Sequence, residues 1–172
     1  TMKKLSLLDE KIESFKQTIR INPDDAEAHY ILGNTYYMSG RYQDAIEPFK
    51  QAIRINPDDA EAHCNLGRTY CNLDRYQEAI DACKQAIRIK PNYAVAHYAL
   101  GIAYGGLGRY QDAIEACKQA IRIRPDYARA HCNLGVAYLG TDDKGSAIEE
   151  YKILKNLDPE RANELFTLMD AK

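Results

Sequence analysis

The chain lacks a surplus of basic charge. Its 23 lysines and arginines stand against 25 aspartates and glutamates, and the formal net charge is -2. Proteins that bind nucleic acid neutralise phosphates with basic surfaces, so we expect no nucleic-acid partner. No apolar run approaches the roughly 20 residues of a membrane-spanning helix, and the segment from Ser6 to Glu10 stands where a signal peptide would be apolar. We therefore expect no membrane partner.

The chain also lacks the motifs of catalytic and cofactor sites. It contains no phosphate-binding G-x-x-x-x-G-K-[ST] motif and no G-x-S-x-G nucleophile elbow. Its five cysteines form no C-x-x-C pair, and their odd number argues against a disulfide framework and for a reducing compartment. These absences predict a cytoplasmic protein that is not an enzyme, has no catalytic residue and needs no cofactor.

A period of 34 residues organises the sequence. The tetrapeptide AEAH at 26–29 returns at 60–63, and related segments begin at Ala94 and Ala128. Residues 26–59 and 60–93 are identical at 20 of 34 positions, which is too many for a chance match. All four segments align without a gap, so the chain is a tandem array of one structural unit.

The pattern within each repeat predicts two helices. In the first repeat, apolar and small residues recur at helical spacing from Ala28 to Tyr36, and we expect this helix to end near Gly40. A second apolar stripe runs from about Gln43 to Ile55. Pro57 ends it, because a proline ring disfavours helical geometry in the preceding residue. The sequence therefore predicts an all-α protein.

The repeat resembles the tetratricopeptide repeat family. The family pattern W-x2-L-G-x2-Y…A-x3-F…P is present with histidine in place of tryptophan, and its residues in the first repeat are His29, Leu32, Gly33, Tyr36, Ala45, Phe49 and Pro57. The other repeats match in register, with Cys83, Cys117 and Tyr151 at the phenylalanine position. The resemblance implies a right-handed superhelix of helical hairpins that holds other polypeptides.

The period and the resemblance together predict how the chain is organised. Residues 6–23 copy the second helix of the first repeat and are expected to form an N-terminal half-repeat. Four full repeats follow at 26–59, 60–93, 94–127 and 128–161, and residues 162–172 are expected to form a C-terminal capping helix. We expect one continuous domain.

The recurring histidines and two of the cysteines are expected to have packing roles. The histidines occur once per repeat, at His29, His63, His97 and His131. Neighbouring helix axes are roughly 8–10 Å apart, which is too far for shared metal ligation at about 2 Å, so we predict no metal site. Cys83 and Cys117 stand at a large apolar position and are predicted to lie in the core.

In the tetratricopeptide repeat family, the first helices line a concave groove that binds partners. Carried over to this sequence, the positions predicted to bind a peptide are Tyr30, Asn34, Tyr37, Asn65, Arg68, Tyr98, Ile102, Arg129, Asn133 and Val136. Cys64, Cys132 and Leu139 are expected on the same face. Tyrosines supply contact area at low entropic cost, and asparagines carry a donor and an acceptor for an extended backbone. The expected function is a protein-interaction scaffold.

The charges of this groove predict an orientation for a bound peptide. Glu27 and Glu61 make the start of the groove acidic, whereas Arg68 and Arg129 make its later part basic, so a peptide carboxylate near the fourth repeat is one hypothesis. Cochaperones of this family bind acidic tails with a clamp that needs lysine and arginine. The corresponding positions here have no basic residue, so an acidic chaperone tail is not expected.

Two other functions stay open on the sequence alone. The half-repeat has an apolar stripe of Leu8, Ile12, Phe15 and Ile19 that could stack on a second copy, which would make the chain a self-associating structural module. Alternatively, the array could be an accessory domain of a larger enzyme such as a glycosyltransferase.

Overall fold

The computed structural model describes the backbone of residues 2–170 and the side chains of residues 7–170. This part of the chain contains ten α-helices and no strand. The helices are α1 (Met2–Ile21), α2 (Ala26–Met38), α3 (Tyr42–Ile55), α4 (Ala60–Cys71), α5 (Tyr76–Ile89), α6 (Ala94–Gly106), α7 (Tyr110–Ile123), α8 (Ala128–Gly140), α9 (Lys144–Leu157) and α10 (Pro159–Asp170). The all-α fold predicted from the sequence is confirmed. Within residues 2–170, none of the helices combines the length and apolarity that a bilayer crossing requires.

The chain divides into two compact units, Thr1–Lys90 and Pro91–Lys172. Unit 1 contains α1 and the hairpins α2–α3 and α4–α5, with α1 packed on α2 and α3 packed on α4. Unit 2 contains the hairpins α6–α7 and α8–α9, with α7 packed on α8. Helix α10 packs on both α8 and α9, so the last hairpin is covered by a further helix.

One residue in each hairpin turn adopts the left-handed conformation. These residues are Gly40, Asp74, Gly108 and Asp142, with φ values of 74, 55, 70 and 60°. The turn predicted near Gly40 therefore recurs in all four hairpins. Two of the four place an aspartate where only glycine avoids a steric penalty.

The residue after each left-handed position decides how the turn is fixed. In the first three hairpins it is an arginine whose guanidinium carbon stacks on a first-helix tyrosine, 4.7, 4.6 and 4.5 Å from the ring centroid. In the fourth hairpin it is Asp143, which caps α9 by accepting from the Ser146 amide at 3.0 Å. The fourth turn, which departs from the repeat in sequence, thus uses a helix cap in place of a stack.

A glycine in each first helix allows another helix to approach closely. A Cβ added to Gly33 would lie 2.8 Å from the ring of Phe49, and one added to Gly101 would lie 2.6 Å from Sγ of Cys117. The side chains of Phe49 and Cys117 are fully buried, and so is that of Cys83. The core positions predicted for the two cysteines are confirmed.

The fourth repeat fills this contact from a different helix. A Cβ added to Gly135 would lie 2.5 Å from Leu165, which belongs to α10 and is fully buried. Tyr151 of α9, which holds the corresponding position in the repeat pattern, stacks on Phe166 of α10 with ring centroids 5.6 Å apart. The capping helix therefore supplies a core residue that the second helix supplies in the other repeats.

The four histidines fasten each first helix to the turn before it. Nε2 of His29, His63, His97 and His131 lies 3.0, 3.0, 2.9 and 2.8 Å from the carbonyl oxygen of the proline six residues earlier. An Nε2–H group can donate to this carbonyl in every repeat. The histidines therefore have a structural contact, in agreement with the packing role predicted for them.

His131 differs from the other three histidines because it has a second, buried partner. Its Nδ1 lies 2.6 Å from Oε2 of Glu150, and the two side chains are 6% and 13% exposed. The Pro125 carbonyl and the Glu150 carboxylate both accept hydrogen bonds, so only the doubly protonated imidazolium donates to both. Burial by itself lowers the pKa of His131, but the hydrogen bonds to Glu150 and Pro125 and the charge of Glu150 outweigh it, so the pKa is raised above 6.5.

Candidate functional site

The five residues predicted in unit 1 form one cluster across α2 and α4, here called the α2/α4 face. Nδ2 of Asn65 donates to Oδ1 of Asn34 at 3.0 Å and to the hydroxyl of Tyr30 at 3.2 Å. Nη1 of Arg68 donates to Oδ1 of Asn65 at 3.0 Å. The Arg68 guanidinium carbon lies 4.8 Å from the centroid of the Tyr37 ring. The structure therefore brings all five residues together.

Both N–H groups and the oxygen of the Asn65 side-chain amide have hydrogen-bond partners inside the protein. Its two N–H groups are accepted by Asn34 and Tyr30, and its oxygen accepts from Arg68. Burial raises the pKa of Tyr30, whose hydroxyl donates to Glu61 at 3.4 Å. The side chain of Asn65 thus joins α2 to α4, and the α2/α4 face is a preorganised polar surface.

The five residues predicted in unit 2 lie on α6 and α8, which contact each other, and we call them the α6/α8 face. Tyr98 and Ile102 belong to α6 and are half-buried, whereas Val136 of α8 is 37% exposed. The ring of Tyr98 packs on Tyr127, with centroids 5.0 Å apart. Burial raises the pKa of Tyr98, and the charges of Arg129 and Arg161 act in the opposite direction. The charge of Arg129 therefore acts on Tyr98 within this face.

Asn133 and Asn65 occupy the same position of the repeat but have different surroundings. The neighbours that engage Asn65 are Asn34 and Arg68, and the same repeat positions in unit 2 are Ile102 and Val136. Asn133 makes no side-chain hydrogen bond within the described part of the chain, and its side chain is half-buried. Its amide therefore has both donor and acceptor capacity for a ligand, whereas both N–H groups of Asn65 are already engaged.

A pocket at the start of α8 adds residues that the sequence did not single out. Arg124, Tyr127 and Arg161 line it together with the predicted Arg129, and its volume is about 370 Å³. One signal was available in the sequence, because Tyr127 stands where Asp25 and Asp59 precede the first helices of the first two repeats. The contribution of Arg161 depends on the packing of α10, which the repeat pattern does not specify.

Three positions expected on the groove face are instead buried. Cys64, Cys132 and Leu139 are 0%, 8% and 3% exposed, so the expectation that they face a ligand was wrong. A first helix packed between other helices has a wider buried surface than the family positions alone indicate. None of the five cysteines, all within residues 7–170, forms a disulfide, and burial raises the pKa of the half-buried Cys71 to about 12. At neutral pH this thiol therefore stays protonated, which is its unreactive form.

The apolar stripe predicted for self-association lies on α1. Ile12 is only 3% exposed, because α1 packs against α2, so its side chain is not available to another molecule. Leu8, Phe15 and Ile19 are half-buried. The part of the stripe that could still meet a partner is thus limited to these three residues.

Comparisons with known proteins agree on one family. A model described as TPR repeat matches residues 8–40 and 33–74, and two models described as tetratricopeptide repeat match residues 58–126 and 98–162. None of these models describes a catalytic family. No curated protein sequence matches the chain.

Solved structures match over nearly the whole chain. A crystal structure of MamA is 32% identical, covers 94% of this chain and 94% of its own, and has a TM-score of 0.83. MamA from Desulfovibrio magneticus RS-1, solved from residue 41 to its end, is 25% identical, covers 89% of this chain and 86% of its own, and has a TM-score of 0.82. YrrB, described as a TPR protein with an unusual peptide-binding site, is 20% identical, with coverages of 96% and 87% and a TM-score of 0.78. At that identity, the likeness to YrrB establishes the fold alone.

Proposed function

This chain belongs to the tetratricopeptide repeat family, and we propose that it is a protein-interaction scaffold that binds an extended segment of a partner polypeptide. The α6/α8 face is the proposed contact for the peptide main chain. The α2/α4 face is a second proposed contact, where the preformed polar cluster offers tyrosine and arginine side chains to the side chains of a partner.

The proposal rests on one observation, which is that the side-chain amide of Asn133 has no hydrogen-bond partner within the described residues. This side chain is also half-buried. An extended peptide carries one donor and one acceptor per residue, and an asparagine amide can satisfy both at once. Ile102, Val136 and Tyr98 of the same face supply apolar and aromatic contact area around it.

The test begins with peptides selected from a random library on the immobilised chain. Binding of the enriched peptides is then measured for the wild type and for Asn133→Ala. Loss of two neutral hydrogen bonds should weaken binding about tenfold. Backbone NMR shifts caused by the peptide should concentrate on α6 and α8.

Asn163→Ala is the matched control, because Asn163 lies on α10 of the same unit and is exposed. It should leave the affinity unchanged. Equal affinity of the wild type and Asn133→Ala, with both variants fully helical, would contradict the proposed site, and so would shifts confined to other helices.

Self-association through α1 is a second candidate, supported by the partly exposed apolar side chains of Leu8, Phe15 and Ile19. Sedimentation velocity over a concentration range should show a dimer that Phe15→Ser removes. Asn163→Ala should leave the dimer intact. A monomer at every concentration would exclude this candidate.

A further inference from the structure

We propose that the pocket at the start of α8 binds a carboxylate of the partner peptide, through Arg124, Arg129 and Arg161. The inference rests on the proposed function, because it names the chemical group that the same unit would recognise beside the α6/α8 face. The pocket is called the α8 pocket below and is lined by Arg124, Asp126, Tyr127, Ala128, Arg129, Asp158 and Arg161.

The charge of the α8 pocket fits a single carboxylate. Three arginines and two aspartates line it, which leaves one positive charge in excess. The guanidinium of Arg161 is held by Asp158 at 3.1 Å and lies 3.8 Å from Glu164. A dianionic phosphate would bring two negative charges to a pocket with one to spare, whereas a carboxylate brings one.

Two of the arginines are free to accept an anion as partner. Neither Arg124 nor Arg129 forms an ion pair within the described residues. The guanidinium carbon of Arg124 lies 3.4 Å from the centre of the Tyr127 ring. An arginine stacked on a ring keeps its N–H groups pointing outward in a fixed plane, which favours two-point binding of a carboxylate.

In unit 1, the equivalent position at the start of each first helix is occupied by one of the protein's own carboxylates. Asp25 accepts from the amide of Ala28 at 2.9 Å, and Asp59 accepts from the amides of Glu61 and Ala62 at 2.9 and 3.0 Å. These aspartates cap α2 and α4. The pattern therefore places an acidic group at the start of each of these two helices.

At α8 the acidic residues are replaced by neutral and basic ones. Tyr127 stands at the cap position and makes no capping bond through its side chain, and the first turn of α8 has no acidic residue. Arg129 stands where the first two repeats have Glu27 and Glu61. A carboxylate from a partner would thus meet a first turn of α8 that contains no acidic residue, beside the unpaired guanidinium groups of Arg124 and Arg129.

The placement on α8 connects this pocket to the peptide site. Arg129 and Asn133 are four residues apart on α8 and Val136 follows three residues later, so the three project from one side of the helix. A peptide whose main chain contacts Asn133 could place an acidic side chain or its own C-terminal carboxylate at Arg129. An acidic side chain and a C-terminus both supply a carboxylate. Amidation of the peptide C-terminus would remove only the second.

In the experiment, small probe molecules are titrated into the whole chain, and their binding is monitored by the NMR signals of the arginine Nε–H groups. N-acetylalanine presents a terminal carboxylate. N-acetylglutamic acid α-amide presents only an acidic side chain, because both ends of its main chain are blocked. N-acetylalaninamide is the neutral control. Saturable shifts at Arg124, Arg129 and Arg161 are expected with the carboxylates only. Arg129→Gln should weaken this binding about five- to twentyfold, and added salt should weaken it further.

Arg122→Gln is the matched control, because Arg122 is an exposed arginine of the same unit that does not line the pocket. It should bind both carboxylates like the wild type. Equal shifts with the neutral amide, no saturation, or tighter binding of inorganic phosphate than of either carboxylate would overturn the inference. Because the probes contain no extended peptide, these results do not depend on Asn133, so failure of the pocket and failure of the peptide site are separable.

Discussion

The buried pair of His131 and Glu150 offers a sharp test of how the last repeat is stabilised. Glu150 stands where the second and third repeats have Ala82 and Ala116. Glu150→Ala therefore installs a residue that the same position already accommodates elsewhere in the chain. It removes the carboxylate and leaves the imidazole with its contact to the Pro125 carbonyl.

The size of the effect follows from the burial of the pair. A hydrogen bond to a charged group contributes about 1.5–3 kcal/mol, and the two side chains are only 6% and 13% exposed, so solvent screens them little. We expect Glu150→Ala to lower the free energy of unfolding by about that amount at pH 6. His131→Ala should cost more, about 3–5 kcal/mol, because it leaves a buried carboxylate without a partner.

The pH dependence has a definite sign. The pKa of His131 in the folded protein is raised above 6.5, the ordinary value of the unfolded chain. The stabilisation from the charged imidazole is therefore fully present below about pH 6.5 and is lost as the pH rises through the folded-state value. Above the folded-state pKa, the neutral imidazole must place a nitrogen lone pair against either the Glu150 carboxylate or the Pro125 carbonyl, both of which are acceptors. The cost of Glu150→Ala should thus shrink between pH 6 and pH 9.

The assay is urea unfolding at a series of pH values, followed by circular dichroism, with the imidazole titration of His131 read by NMR. Glu149→Ala is the matched control, because Glu149 is the neighbouring glutamate and pairs on the surface with Lys152 at 2.7 Å, with side chains 67% and 61% exposed. It should cost no more than about 0.5 kcal/mol at any pH. Equal effects of the two alanine variants at pH 6, or a cost of Glu150→Ala that does not change with pH, would falsify the reasoning.

Three further predictions concern stability measured by chemical unfolding. Gly101→Ala should destabilise the chain by about 1–3 kcal/mol, because its methyl group would overlap the Cys117 thiol. Gly105→Ala on the same helix has open space and should stabilise by about 0.5–1 kcal/mol, so equal effects would refute the packing argument. Asp142→Gly should stabilise by about 1 kcal/mol, because it relieves a left-handed aspartate with φ of 60°, and a loss of stability would contradict this. Asn65→Ala should cost about 1–2 kcal/mol and Asn133→Ala less than about 0.5, since only the first breaks internal hydrogen bonds; the reverse order would refute the distinction.

Much of the fold could be predicted from local residue types. The 34-residue period located the hairpins, because helical spacing, a turn near Gly40 and a proline after each second helix are all properties of neighbouring residues. The burial of Cys83 and Cys117 was also predictable, since both stand at a position where the first repeat has phenylalanine. Such features depend on a unit that repeats itself, so one copy informs the others.

The candidate site could be predicted only in part, because a repeat position does not specify its neighbours. Asn65 and Asn133 are equivalent in the repeat, yet one is enclosed by hydrogen bonds and the other has none from the described residues. The difference comes from two neighbouring positions, one on the adjacent first helix and one a turn further along the same helix. These are Asn34 and Arg68 for Asn65, and Ile102 and Val136 for Asn133. Cys64 and Cys132, expected on the ligand face, are buried for a similar reason.

By itself the sequence determined that this protein is an array of helical hairpins and that Cys83 and Cys117 lie in its core. The tertiary structure alone decided that Asn133 and not Asn65 has a free amide, that Leu165 replaces a second-helix residue against Gly135, and that Arg161 joins Arg129 at one pocket. The physical reason is that hairpins form from contacts close in sequence. Sites on their faces form from side chains of different helices, whose pairing depends on packing.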